Sequence, residues 1–249
     1  MSKPVIEIKD VSKKYGRGVS ETMVLKNVNL EIHSGEYIII FGPSGCGKST
    51  LLNCLSGLEE PTDGKILVRG DELTNENEKS LAEYRREKIG IVFQQFNLLK
   101  GISVLENIAL PQLFKGVSYK QRVHRAKHLL GLFGLEKFAS HRPSELSGGQ
   151  LQRVAMARSL VNSPWILLID EPTGNLDSKS ANEVMELINS LNQKSKRTII
   201  LVTHNPDYLS YPHRVIYMKD GQITREQKVR AFKHEAKGGM DDITNVKKL

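Results

Sequence analysis

The chain has 249 residues, with 36 Lys and Arg against 28 Asp and Glu and a formal charge of +8. With 39% hydrophobic and 26% charged residues it reads as a globular chain, one α/β domain or a core with an inserted lobe, and not as a disordered one. Its apolar runs are too short to cross a bilayer, and two cysteines, Cys46 and Cys54, exclude a disulfide framework and a paired zinc site.

In chain order, residues 1–4 lead into the alternation Val5-Ile6-Glu7-Ile8-Lys9, a half-buried strand rather than a signal peptide. Contact with a membrane is therefore expected through a partner, and the two thiols suit a reducing cytoplasm. Residues 23–25 and 28–32 predict two more strands, followed by a turn at His33-Ser34-Gly35. Tyr37-Ile38-Ile39-Ile40-Phe41 is apolar throughout, as a buried parallel strand requires. Residues 65–68 and 89–93 read as further strands. The stretch 103–162 predicts helices, with capping boxes at Ser103/Glu106, Ser118/Gln121 and Ser147/Gln150. Within it, residues 117–142 carry six Lys or Arg against the single Glu136. The overall positive charge leaves three readings open: nucleic acid, an anionic membrane face, or a phosphate-binding surface.

Pro164 closes the helical stretch, and residues 165–169 form the next strand. Val184, Leu187, Ile188 and Leu191 share one face of a helix over 180–196. Residues 198–202 are a buried strand. Residues 215–218 and 222–224 form a hairpin through Lys219-Asp220-Gly221. Residues 226–249 form a polar tail. The pattern is an α/β core, residues 1–94 and 163–225, interrupted by a helical insertion at 95–162.

The segment Gly42-Pro43-Ser44-Gly45-Cys46-Gly47-Lys48-Ser49-Thr50 follows a buried strand and opens a helix. This is the strand–loop–helix setting of a G-x-x-x-x-G-K-[ST] phosphate loop. Its glycines let successive backbone N–H groups and the helix N-terminus surround an anion. Lys48 reaches the β- and γ-phosphates of ATP, the Ser49 hydroxyl ligates Mg²⁺, and Thr50 lies near the α-phosphate. The Cys46 thiol, close to a helix N-terminus, is expected to be acidic and shielded by nucleotide.

Trp165-Ile166-Leu167-Leu168-Ile169-Asp170-Glu171 is an apolar strand ending in two carboxylates. Asp170 is expected to hold Mg²⁺ through its water shell, and Glu171 to accept a proton from the attacking water. His204, just beyond strand 198–202, is placed to contact the γ-phosphate. Gln94, just beyond strand 89–93, is placed to touch Mg²⁺ or water, a role its neighbour Gln95 contests.

Leu146-Ser147-Gly148-Gly149-Gln150 opens another helix with two glycines, each costing a helix roughly 1 kcal/mol, so close backbone approach is expected there. With this segment, the phosphate loop, the acidic strand, Gln94 and His204 in this order, the chain resembles the ATP-binding cassette (ABC) ATPases over residues 5–225. The resemblance implies an α/β fold: a P-loop NTPase (RecA-like) core with an antiparallel β subdomain and an inserted α-helical subdomain. It implies a homodimer of cassettes formed on ATP binding, in which Ser147, Gly148, Gly149 and Gln150 of one copy complete the loop of the other. It also implies that Tyr15 stacks on adenine and that Asp177, in Asn175-Leu176-Asp177, links the two sites.

Residues 93–99 and 171–178 look like the subfamily serving macrolide export, lipoprotein release and antimicrobial-peptide resistance. That resemblance implies an ATPase subunit driving a separate integral membrane permease. The cassette would be peripheral on the cytoplasmic face, with neither nucleic acid nor direct membrane insertion involved. The alternative is a non-transport mechanical regulator of extracytoplasmic enzymes, acting through a similar partner.

Overall fold

The computed structural model describes residues 3–16 and 20–229. In chain order its elements are β1 (Ile6–Tyr15), β2 (Thr22–Ile32), β3 (Tyr37–Phe41), α1 (Lys48–Leu55), β4 (Asp63–Val68), β5 (Asp71–Glu72), α2 (Glu78–Glu87) and β6 (Ile89–Val92). There follow α3 (Val104–Phe114), α4 (Tyr119–Leu132), α5 (Gly148–Leu160), β7 (Ile166–Asp170), α6 (Ser178–Ser195), β8 (Thr198–Thr203), β9 (Arg214–Lys219) and β10 (Gln222–Lys228). Backbone contacts divide the described residues into two compact units, one from those up to 85 and from 196–229, the other from residues 86–195. Residues 226–228, expected in the polar tail, instead continue the hairpin strand expected at 222–224, pairing as β10 with β9; beyond 229 the predicted tail lies outside the described residues.

In the first unit, β2, β1, β4 and β5 form an antiparallel sheet in that order. The two short strands expected at 23–25 and 28–32 are one strand, β2. Its apolar alternation changes phase at Asn27, whose backbone is left-handed at φ 45°. The Ser12 hydroxyl receives the Asn27 N–H at 2.9 Å and donates to Asn27 Oδ1 at 3.0 Å, so a side chain satisfies the bulge. A second sheet region places β3 between two parallel neighbours, β8 and β9, with β10 antiparallel beyond β9. Residues 37–40 are buried, which explains the unbroken apolar run. Helix α2 escaped the sequence reading because only Leu81 and Tyr84 among its ten residues are large and apolar. Tyr84 is buried, and its hydroxyl donates to Leu55 O at 2.9 Å.

In the second unit, β6 and β7 pair in parallel, Val92 opposite Ile169. The boxes at Ser103 and Ser147 form as expected. At Ser118 only half forms: its oxygen accepts the Gln121 N–H, but the Gln121 side chain takes the Ser118 hydroxyl instead of the N–H. Asn107, fully buried, donates to Leu99 O at 3.0 Å and accepts the Leu99 N–H at 2.8 Å, stapling that loop to α3. Val184, Leu187, Ile188 and Leu191 of α6 are all buried, as their spacing requires.

Candidate nucleotide site

The phosphate loop lies in the first unit, between the buried strand β3 and α1. Parallel register sets Phe41 of β3 level with Thr203 of β8, so Gly42 and His204 leave the sheet at the same edge. That edge, beyond the carboxyl ends of parallel strands, is where α/β folds hold ligands. Gly42 is obligatory, because a Cβ there would lie 2.1 Å from Met218 O. Gly47, the N-cap of α1, has φ 99°, and a Cβ on it would meet Val24 O at 2.8 Å. No side chain caps α1, so its first N–H groups have no side-chain acceptor at the N-cap.

Lys48 is buried, and its ammonium lies along the loop, donating to Gly42 O and Pro43 O at 2.8 Å each. Pro43, Ser44, Gly45 and Ser49 are exposed, while Gly42, Cys46, Gly47 and Lys48 are buried. The loop thus presents its outer rim to solvent around a fixed interior cation. With an uncapped helix start, these residues fit a polyphosphate.

The support behind this loop is not legible in the sequence. Gly221, read only as a hairpin turn, donates its N–H to Cys46 O at 3.1 Å and accepts the Lys26 N–H at 2.9 Å. No local pattern signals this, since the contact joins segments far apart in the chain. The expectation of an acidic Cys46 thiol is overturned. Burial pushes its pKa up, Lys48 offsets this only in part, and Asp220 adds to the rise.

Tyr15 closes β1 and is 40% exposed. Its hydroxyl donates to Glu59 Oε2 and also meets Thr50. Partial burial and the Glu59 contact push its pKa up to about 12. Lys13 Nζ lies 5.3 Å from the ring centroid. The structure therefore brings Tyr15 to the Thr50 end of the loop, tethered by its hydroxyl with the ring partly open.

The second unit assembles the acidic group. The parallel pairing of β6 with β7 brings the segments bearing Gln94 and Asp170-Glu171 out at one edge. Asp170 ends β7 half-buried, and Glu171 is also half-buried with a left-handed backbone at φ 43°. The Gly174 N–H donates to Glu171 O at 3.3 Å, and Asn175 Nδ2 donates to Gln94 O at 3.2 Å. Gln94 Nε2 would lie 3.3 Å from a Cβ at Gly174, so Gln94 packs on the turn that follows Glu171. Phe96 and Asn97 are both left-handed, and Arg158 holds them, donating to Asn97 O at 2.5 Å and Phe96 O at 2.8 Å. Arg158 had no place in the sequence reading.

Ser147 is exposed and caps α5: its oxygen accepts the Gln150 N–H, and its own N–H donates to Gln150 Oε1 at 2.9 Å. The close approach expected at the paired glycines exists within the chain. A Cβ on Gly149 would lie 2.8 Å from Ser180 Oγ and 2.9 Å from Ser180 Cβ. Ser180 is held by Asp177, whose carboxylate accepts its N–H at 3.0 Å and its hydroxyl at 2.7 Å; these bonds keep the Asp177 pKa below its usual range. Gly149→Ala should therefore cost about 1–3 kcal/mol in stability through overpacking. Adding Ser180→Gly should return part of that loss. Thermal melts of the two single variants and the double variant check this; simple additivity would contradict it.

A protein-family profile described as ABC transporter matches residues 25–174. The uncharacterised ABC transporter ATP-binding protein MJ0796 of Methanocaldococcus jannaschii is 45% identical over 232 residues, covering 92% of this chain and 99% of that protein. The dimeric structure of that cassette in a post-hydrolysis state, bound to ADP and Pi, matches with a TM-score of 0.85 at 44% identity, covering 91% of this chain and 100% of that one. The macrolide export ATP-binding/permease protein MacB of Wolinella succinogenes is 45% identical over 227 residues. That match takes in 91% of this chain but 35% of MacB, so the chain spans about a third of that relative's length.

Proposed function

This chain belongs to the ABC transporter family of ATPases, and we propose that it drives a separate integral membrane permease by pairing with a second copy around ATP. The observation that carries this reading is the phosphate loop, with Lys48 lodged inside it and an uncapped α1 behind it. The β- and γ-phosphates lie on the loop, held by Lys48 and by the N–H groups of residues 44–50. The Tyr15 ring packs on adenine. Water attacks the γ-phosphorus as the bond to the bridging oxygen breaks; Glu171 takes the water's proton, and His204 holds the γ-phosphate.

Ser49 and Asp170 offer the oxygen donors that Mg²⁺ takes, and Gln94 an amide oxygen. Bound there, the ion supplies positive charge to the phosphate oxygens. Ser147, Gly148, Gly149 and Gln150 of the second copy close over the γ-phosphate, with Asp177 joining the two sites. The dimeric structures of MJ0796 support this pairing. The likeness to MacB supports a macrolide-export type of system, hence export or extraction of a lipophilic compound, peptide or lipoprotein. No helix among the described residues is long and apolar enough to cross a membrane. In this proposal the chain is a peripheral subunit held at the cytoplasmic face by the permease. The permease contacts the helical subdomain, residues 95–162, beside Gln94.

Extraction of the tagged chain from its native membranes in mild detergent tests this. An integral subunit should co-elute in fixed ratio, and the complex should keep its specific ATPase activity on dilution, whereas the isolated chain should lose it. Absence of an integral partner, with an isolated-chain activity indifferent to dilution, would contradict the proposal.

A further inference from the structure

We propose that the tip of the α3–α4 hairpin is a docking surface for an anionic lipid membrane. Helix α3 ends at Phe114 and α4 begins at Tyr119. The intervening turn is closed by backbone bonds from Gly116 N to Leu113 O and from Val117 N to Gln112 O, each 3.0 Å. This turn fixes both aromatic residues at one end of the hairpin, where Leu113 is 47%, Phe114 70% and Tyr119 68% exposed. Two exposed aromatic rings and an exposed leucine thus sit at one end of the hairpin, apolar surface with no role in the nucleotide chemistry.

Charge defines its partner. Helix α4 carries Lys120, Arg122 and Lys127, and no Asp or Glu anywhere along its length. Lys120 and Lys127, seven residues apart, share a helix face, and both are exposed. Arg122 lies 5.1 Å from the Tyr119 ring centroid and donates to Val117 O at 3.2 Å, which places a guanidinium at the rim of the apolar tip. Exposed rings flanked by Lys and Arg are the chemistry of the membrane interface: the rings enter the headgroup layer while the cations meet lipid phosphates. A nucleic-acid strand, the rival partner, would stack on the rings and pair with the cations but gain little from Leu113. The lipid contact is superficial and separate from nucleotide binding, so it would supplement a permease as the cassette's hold on the membrane.

Sedimentation of the full chain with vesicles tests it. The protein should pellet with phosphatidylcholine vesicles containing about a third phosphatidylglycerol, far less with phosphatidylcholine alone, and binding should fall with added salt. Lys120→Gln and Lys127→Gln should each weaken binding about fivefold, and Phe114→Ser about tenfold, with solution ATPase activity unchanged as a check on folding. In Phe114→Trp, fluorescence should shift to the blue on anionic vesicles. Binding that ignores headgroup charge, or that survives all three substitutions, would overturn the proposal. So would preferential binding to a single-stranded oligonucleotide.

Discussion

Replacing Glu171 by Gln should leave ATP binding intact and slow phosphate release by about a hundredfold to ten-thousandfold. The substitution is nearly isosteric, so the surrounding geometry should survive. Glu171 adopts a left-handed backbone at φ 43° directly before Pro172, an arrangement costing about 1–3 kcal/mol that the neighbouring structure must hold in place. The Gly174 N–H on Glu171 O and the packing of Gln94 against Gly174 are parts of that support, and neither uses the Glu171 carboxylate. What Gln would remove is the oxygen proposed to accept the water's proton. With ATP and Mg²⁺, the variant should accumulate as a pair of cassettes on size exclusion. Normal single-turnover phosphate release would remove Glu171 from the role of base.

Lys48→Ala should act earlier, on binding. Its ammonium is buried and donates to two loop carbonyls, Gly42 O and Pro43 O. Charge-assisted bonds to phosphate are among the stronger protein contacts. Loss of Lys48 should weaken ATP binding by about tenfold to a hundredfold and remove measurable turnover. The thermal stabilisation that ATP gives the wild-type chain should shrink in step, because that shift follows ligand affinity. Removal of the ammonium also leaves two carbonyls short of a donor, so the apo melting temperature should drop slightly. An unchanged ATP affinity would mean that Lys48 holds the loop and does not meet phosphate.

These expectations rest on a fold whose buried strands were legible and whose long-range contacts were not. The runs ending at Phe41 and Asp170 have no polar face, and burial on both sides leaves few alternatives for such segments. The phosphate loop was legible because its spacing encodes backbone geometry directly. Asn27 defeated the strand reading of β2, since a left-handed residue with a side-chain partner continues a strand across a phase break. Helix α2 has too few apolar residues to show a period.

The support around the site was hidden for another reason. Gly221 behind Cys46, Arg158 behind Phe96 and Asn97, and Ser180 against Gly149 are contacts between segments that only the fold brings together. The case of Gly149 also alters an inference. Its missing side chain has a reason within one chain, the contact with Ser180, so the glycine alone does not argue for a partner's phosphate. The acidic thiol expected at Cys46 failed because burial outweighs the attraction of Lys48.

The claim that each ATP site is shared between two copies is tested most directly by mixing two inactive variants. Lys48→Ala disables the phosphate loop. Ser147→Asp keeps an N-cap oxygen for α5 but, in the proposed pairing, would set a negative charge against the partner's γ-phosphate. In an equal mixture about half of the pairs are mixed, each with one intact site, so ATPase activity should recover to roughly a quarter of wild type. A mixture as inactive as its two components would contradict the shared site.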